Sequence, residues 1–189
     1  MPPISYSRIS LLALGMFLAG CSSTVSRNAA SATQPQTNVS VTPSPNPIDP
    51  TQIPVDTKIT LSRTICYGTC PAYRLEIFGN GRVVFDGQAH VRNTGIVTYQ
   101  ISEDRIKQLL SEFQNINYFS LADDYSVSNH KNCPNFGTDA PSVTTSITIN
   151  GQTKTVFHSH GCQDLEILSR LDSFEDRIDE LAEAKRRIG

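Results

Sequence analysis

The chain of 189 residues has no tryptophan, only two methionines, and aromatic side chains at just 7% of positions. Long apolar runs are scarce too. The longest, Ile9 to Leu18, covers about ten residues, whereas crossing a ~30 Å hydrocarbon core takes ~20, so an ordinary transmembrane helix is excluded there. Excess charge of one sign is also missing: from Lys58 to Gly189 there are 14 Lys+Arg against 16 Asp+Glu, with no basic stripe. That argues against nucleic acid as a partner. No Gly-x-Ser-x-Gly elbow, His-Glu-x-x-His pair or phosphate loop occurs, and no internal repeat is evident. The sequence therefore nominates no catalytic residue, no cofactor and no metal, and the expectation is a protein that is not an enzyme.

What is present starts with an address. Met1 to Arg8 is short and polar with one basic side chain, and Ile9 to Leu18 has the length of a signal-peptide core. Leu18-Ala19-Gly20-Cys21 resembles the bacterial lipobox, in which cleavage precedes the cysteine and its thiol is lipidated. The resemblance implies a signal peptide over 1–20 and a lipid-anchored, palmitate-bearing Cys21. Each buried methylene contributes ~0.8 kcal/mol, so several acyl chains hold a protein to a bilayer. Ser22 is not the aspartate of an inner-membrane retention signal, which points to the outer membrane, facing the periplasm, if the host is diderm.

From Cys21 to Thr57 the chain is rich in Ser, Thr, Asn, Gln and Ala, with prolines at 35, 43, 45, 47, 50 and 54 and no aromatic residue. Such a segment buries too little surface to offset its ordering entropy and reads as a tether with a reach of at most ~120 Å. Residues 58–189 then form one domain.

Within that domain Lys58 to Thr64 and Tyr73 to Phe78 alternate apolar and polar side chains, the period of half-buried strands. Gly79-Asn80-Gly81 turns the second into Arg82 to Asp86, and strand-like residues recur at Ala89 to Arg92 and Ile96 to Ile101. Ser102 is a good N-cap for a helix whose apolar face is Ile106, Leu109, Leu110 and Phe113. Residues 120–141 read as irregular. Ser142 to Ile149 and Gln152 to Ser159 flank Asn150-Gly151, a strong hairpin signal. A last helix carries Leu165, Leu168, Leu171, Phe174, Ile178 and Leu181, with Lys185-Arg186-Arg187 expected to oppose its macrodipole at the C-terminal end. The expected fold is α+β: a mostly antiparallel sheet built from hairpins, with two helices packed on one face.

Five cysteines become four once Cys21 is lipidated, and an even set in an exported domain points to disulfides. Of three pairings the favoured one is Cys66–Cys70 with Cys133–Cys162. Gly68 and Pro71 let the first pair curl, since residues four apart on a strand are ~13 Å apart. A turn at Asn150-Gly151 places residue 162 opposite 139, within reach of the loop carrying Cys133. Cys66-x-x-x-Cys70-Pro71 with a remote histidine resembles the copper-chaperone group of thioredoxin-like proteins, but there a helix follows where this chain has the strand Tyr73 to Phe78. Cystines leave no thiolate for a metal. His158 and His160 are then the nearest clustered donors, readable as the polar face of a strand. A third ligand would have to come from His90 or Asp139, so tight copper or zinc binding is not expected. Asp123-Asp124 reads as loop, and Tyr67, Tyr73, Tyr118 and Phe119 as packing.

The domain resembles the bacterial family of unknown function numbered 6438. The resemblance rests on Cys66-Tyr67-Gly68-Thr69-Cys70-Pro71-Ala72-Tyr73, the turn and strand from Gly79 to Gly87, Thr138-Asp139-Ala140-Pro141, the Val143 to Phe157 hairpin, Cys162 and the closing helix. Members end in a tryptophan-containing tail, for which Arg187-Ile188-Gly189 stands here. The family implies no activity. Two function classes follow: a membrane-tethered binding or envelope-associated module, its partner an envelope protein or a small molecule; or a periplasmic enzyme, metal-handling or redox protein. The second needs Asp139, His158 and His160, or Cys66 and Cys70, to converge.

Overall fold

A computed structural model of the chain describes residues 47–189. Cys21, the leader and most of the tether lie outside the described residues. Among the described residues nine strands form: β1 Lys58–Arg63, β2 Ala72–Phe78, β3 Arg82–Ala89, β4 Gly95–Gln100, β5 Asp124–Tyr125, β6 Asn135–Phe136, β7 Ser142–Ile149, β8 Gln152–Ser159 and β9 Cys162–Gln163. The helices are α1 Glu103–Asn115, α2 Glu166–Leu181 and the single turn α3 Lys185–Ile188. Seven strands make one sheet in the order β4-β3-β2-β1-β7-β8-β5, antiparallel except where β5 runs parallel to β8, and β6 pairs with β9 in a separate ribbon.

Period-two alternation decides which face is buried. Ile59 and Leu61 of β1, Leu75 and Ile77 of β2, Val83 and Phe85 of β3, and Val143, Ile147 and Ile149 of β7 point inward, while their neighbours are half-exposed or exposed. The helices cover that inner face. Ser102 caps α1 by accepting the Arg105 N–H, and Ile106, Leu109, Leu110 and Phe113 form its buried stripe. Phe113 meets Phe174 of α2 edge-on, with ring centroids 4.8 Å apart. The β7–β8 hairpin pairs Ile149 with Gln152 across a turn in which both Asn150 (φ 51°) and Gly151 (φ 73°) are left-handed. That is the primed turn whose twist suits a hairpin. Among the described residues no helix is long and apolar enough to cross a membrane.

Three details depart from the sequence reading. Residues 47–57, expected as tether, pack on the domain: Ile48 joins the core, and the Asp56 carboxylate accepts the N–H groups of Asn150 and Gly151 at 3.1 and 2.6 Å. Strand β3 runs on to Ala89, and the chain then turns where a separate strand was expected at 89–92. Glu183, at φ 56°, ends α2, so Lys185 to Arg187 form α3 instead of the end of α2. The Arg187 guanidinium lies 3.3 Å over the Tyr99 ring, whose hydroxyl donates to the Ala182 carbonyl at 2.6 Å. Burial pushes the Tyr99 phenol up to about 12.

Candidate functional site

One row of the sheet breaks the apolar pattern. Arg63 pairs with Tyr73 of β2 on one side and Val143 of β7 on the other, and Val143 pairs with His158 of β8. Register therefore sets Tyr73, Arg63, Val143 and His158 side by side on the helix-covered face. Opposite them, α2 presents Glu175 and Asp179, one turn apart and both buried. A polar layer crosses the sheet–helix interface.

At one end of the layer, Arg63 Nε donates to Asp179 Oδ2 at 2.9 Å and to the Tyr73 hydroxyl at 3.1 Å. Its Nη2 lies 2.8 Å from Asp179 Oδ2 and 3.1 Å from Asp176 Oδ1. Burial works against the guanidinium charge, but Asp179, Tyr73 and Glu175 together outweigh it and Arg63 is held above even its ordinary range. Burial raises the Tyr73 phenol, reinforced by Asp179. Burial also holds the Asp179 carboxyl above the usual carboxylate range, against the pull of Arg63 and Tyr73. Asp179 Oδ1 is buried with no partner in hydrogen-bonding geometry.

At the other end, Glu175 bridges two imidazoles: Oε1 lies 2.9 Å from His158 Nδ1 and Oε2 lies 2.8 Å from His160 Nε2. Asp172, one turn before Glu175 on α2, brings Oδ1 to 3.6 Å from His160 Nε2 and 4.0 Å from His158 Nδ1. The His158 and Glu175 side chains are 1% exposed, His160 24% and Asp172 51%. Burial penalises the Glu175 charge, yet hydrogen bonds from His158 and His160 hold its carboxyl below the usual range. The hydrogen bond to Glu175 raises His160 against the opposing effect of burial. One ligand atom from each of the four residues lies within 4.8 Å of every other, and among the described residues these four form the cluster that could hold a metal.

A cleft of about 340 Å³ opens beside this layer. Arg63, Tyr73, Asp179 and His160 contribute polar walls, Pro71, Pro141, Val143 and Ile188 apolar ones, and Lys185 stands among the lining residues.

The sequence-derived candidates land in different places. His158 and His160 come together, and His158 points into the core alongside Val156, not out on a polar strand face. Neither His90 nor Asp139 joins them; both are exposed in left-handed turns. Cys66–Cys70 and Cys133–Cys162 are disulfides with Cα separations of 5.5 and 5.1 Å, and only Cys70 reaches the cleft. Asp123 is spent on an ion pair with Lys154, and His130 is exposed. Tyr73 belongs to the polar layer, Tyr118 shares a buried hydrogen bond with Thr145 at 2.7 Å, and Tyr67 projects from the surface. Asp172, Glu175 and Asp179 were not foreseen. Their signal was readable: Glu175 and Asp179 sit directly after Phe174 and Ile178, carboxylates inside what should be the apolar stripe of a helix.

A comparison with curated proteins gives no match. Residues 57–182, which hold the seven-stranded sheet, both long helices, all four domain cysteines and the whole polar layer, match the model of the domain of unknown function DUF6438, and the chain belongs to that family.

Proposed function

We propose that this chain is an exported lipoprotein, held to a membrane through acylated Cys21, whose disulfide-stapled domain is a binding module for a small ligand seated in the cleft. One observation carries the binding reading. Asp179 lines an open cleft, and its Oδ1, just beneath the surface, is buried without a hydrogen-bond partner. An unsatisfied buried acceptor costs about 1–3 kcal/mol, a cost that a small rotation of the carboxylate toward a ligand's N–H or O–H would remove. The apolar walls receive the body of such a ligand, and Arg63, paired with Asp176 and Asp179, holds the Asp179 carboxylate in place. The ligand class is a small molecule with an ammonium or hydroxyl group on a compact apolar frame. The four domain cysteines are paired as cystines, which supports the reading of a stapled domain.

A panel of small amines, amino alcohols and amino acids, titrated into the isotopically labelled chain, tests this by nuclear magnetic resonance. The expected result is saturable shifts at the amides of Tyr73, Val143 and Ile188 for at least one compound, at millimolar affinity or better. A panel that leaves those amides unmoved, or that moves only residues away from the cleft, overturns the reading.

A further inference from the structure

We propose that His158, His160 and Glu175, with Asp172 completing the set, bind one divalent transition-metal ion, with zinc as the reference ion. The donors come from two rigid elements. His158 lies on β8, His160 directly follows it, and Asp172 and Glu175 lie one turn apart on α2. The site is thus set by the packing of helix on sheet, not by a loop.

The geometry is close to what a metal needs. Zinc–nitrogen and zinc–oxygen distances of about 2.0–2.2 Å put tetrahedral ligand atoms roughly 3.3 Å apart. Counting both Glu175 oxygens, four nitrogen–oxygen pairs stand at 2.8, 2.9, 3.6 and 4.0 Å, and one ligand atom from each residue lies within 4.8 Å of the others, so side-chain adjustments would admit an ion among them. Two imidazole nitrogens and two carboxylate oxygens are a donor set for first-row transition metals, whereas magnesium and calcium favour all-oxygen shells.

Charge supplies the second argument. Glu175 is buried, and its only ion-pair partners among the described residues are the two histidines. Asp172, half-exposed, brings a second carboxylate to the same two rings. The two imidazole rings stand with their centroids 4.9 Å apart. A dication cancels two carboxylates and leaves both imidazoles neutral, the form in which they ligate. Asp172 is half-exposed and the most distant donor, and His160 also lines the cleft. Three firm ligands with a fourth, exchangeable position toward an opening is the arrangement of a site that hands a metal on or offers it to a ligand, not of a closed structural one.

The proposal stands independently of the organic ligand, because it is read with none present. The full chain, with disulfides intact and stripped of metal by chelator, is titrated with zinc in a calorimeter and with cobalt under visible absorption. One zinc per chain at micromolar affinity or tighter is expected, with visible cobalt bands that zinc bleaches and a tenfold excess of magnesium leaves unchanged. His160→Ala and Glu175→Gln should each weaken zinc binding at least about a hundredfold. The glutamine keeps an acceptor for the imidazoles, so a merely structural cluster would tolerate it, and circular dichroism checks that both variants fold. Absence of stoichiometric zinc binding or of cobalt bands in the unmodified chain overturns the proposal whatever the variants do. Binding that survives both substitutions overturns it as well.

Discussion

Arg63 occupies an inward strand position that its neighbours Ile59 and Leu61 fill with hydrocarbon. Its charge is tolerable only because Asp179 meets it from α2. Removing one member of a buried pair leaves the other uncompensated, at a cost of about 3–5 kcal/mol, whereas replacing both with apolar side chains is often neutral. Arg63→Met should therefore lose about 3 kcal/mol in denaturant unfolding at pH 7, and Arg63→Met with Asp179→Leu should regain most of it. The pH dependence has a definite sign. Burial already holds Asp179 above its ordinary range, and losing Arg63 raises it further, with Tyr73 and Asp176 the groups left facing it. When the folded pKa exceeds the unfolded value, stability falls as pH rises beyond the unfolded value of about 4. The Arg63→Met defect should thus be smaller at pH 4 than at pH 7. An equal defect at both, or no recovery in the double variant, would place the stabilisation elsewhere. Arg63 was legible as inward-facing from alternation alone; its partner was not, because a separation of 116 residues leaves no local trace.

At the scale of elements, legibility followed locality. Strands β7 and β8 and their register came directly from Asn150-Gly151, because a two-residue primed turn dictates the pairing on both sides. Helix α1 was readable from its cap and its apolar spacing. The segment from 120 to 141 was not, since tertiary contacts shape it: β5 pairs with β8, β6 pairs with β9, and Cys133 is bonded to buried Cys162. That disulfide spans 29 residues and the Cys66–Cys70 bridge spans four. In the chain-entropy model the loops are worth ~3.5 and ~2 kcal/mol respectively. Cys133→Ala with Cys162→Ala should accordingly lower the melting temperature more than Cys66→Ala with Cys70→Ala. The reverse order would mean that the small loop beside the cleft does more than close four residues. The candidate site shows the same limit: two histidines were visible as a pair, but their carboxylates arrive on a helix that only the packed fold brings over them.

The described domain has two poles, and the β7–β8 hairpin runs between them. Asp56, where the N-terminal segment meets the domain, caps the turn at Asn150 and Gly151. Val143 and His158 lie near the opposite end of the same two strands, beside the cleft and the histidine cluster. Eight residues at ~3.3 Å each separate the poles by roughly 25 Å. The first described residues, from Pro47, thus pack at the turn end of the hairpin, away from the cleft and the histidine cluster. Anchoring and binding should be separable. Cys21→Ser, expressed in a bacterial host, should abolish incorporation of labelled palmitate and leave unprocessed precursor. The same variant should titrate zinc with the affinity of the unmodified chain, within about twofold, because no donor lies near the tethered pole. Palmitate labelling that persists in Cys21→Ser would remove the anchor. Zinc affinity that drops with Cys21 would instead implicate the N-terminal segment in the metal site and overturn the two-pole arrangement.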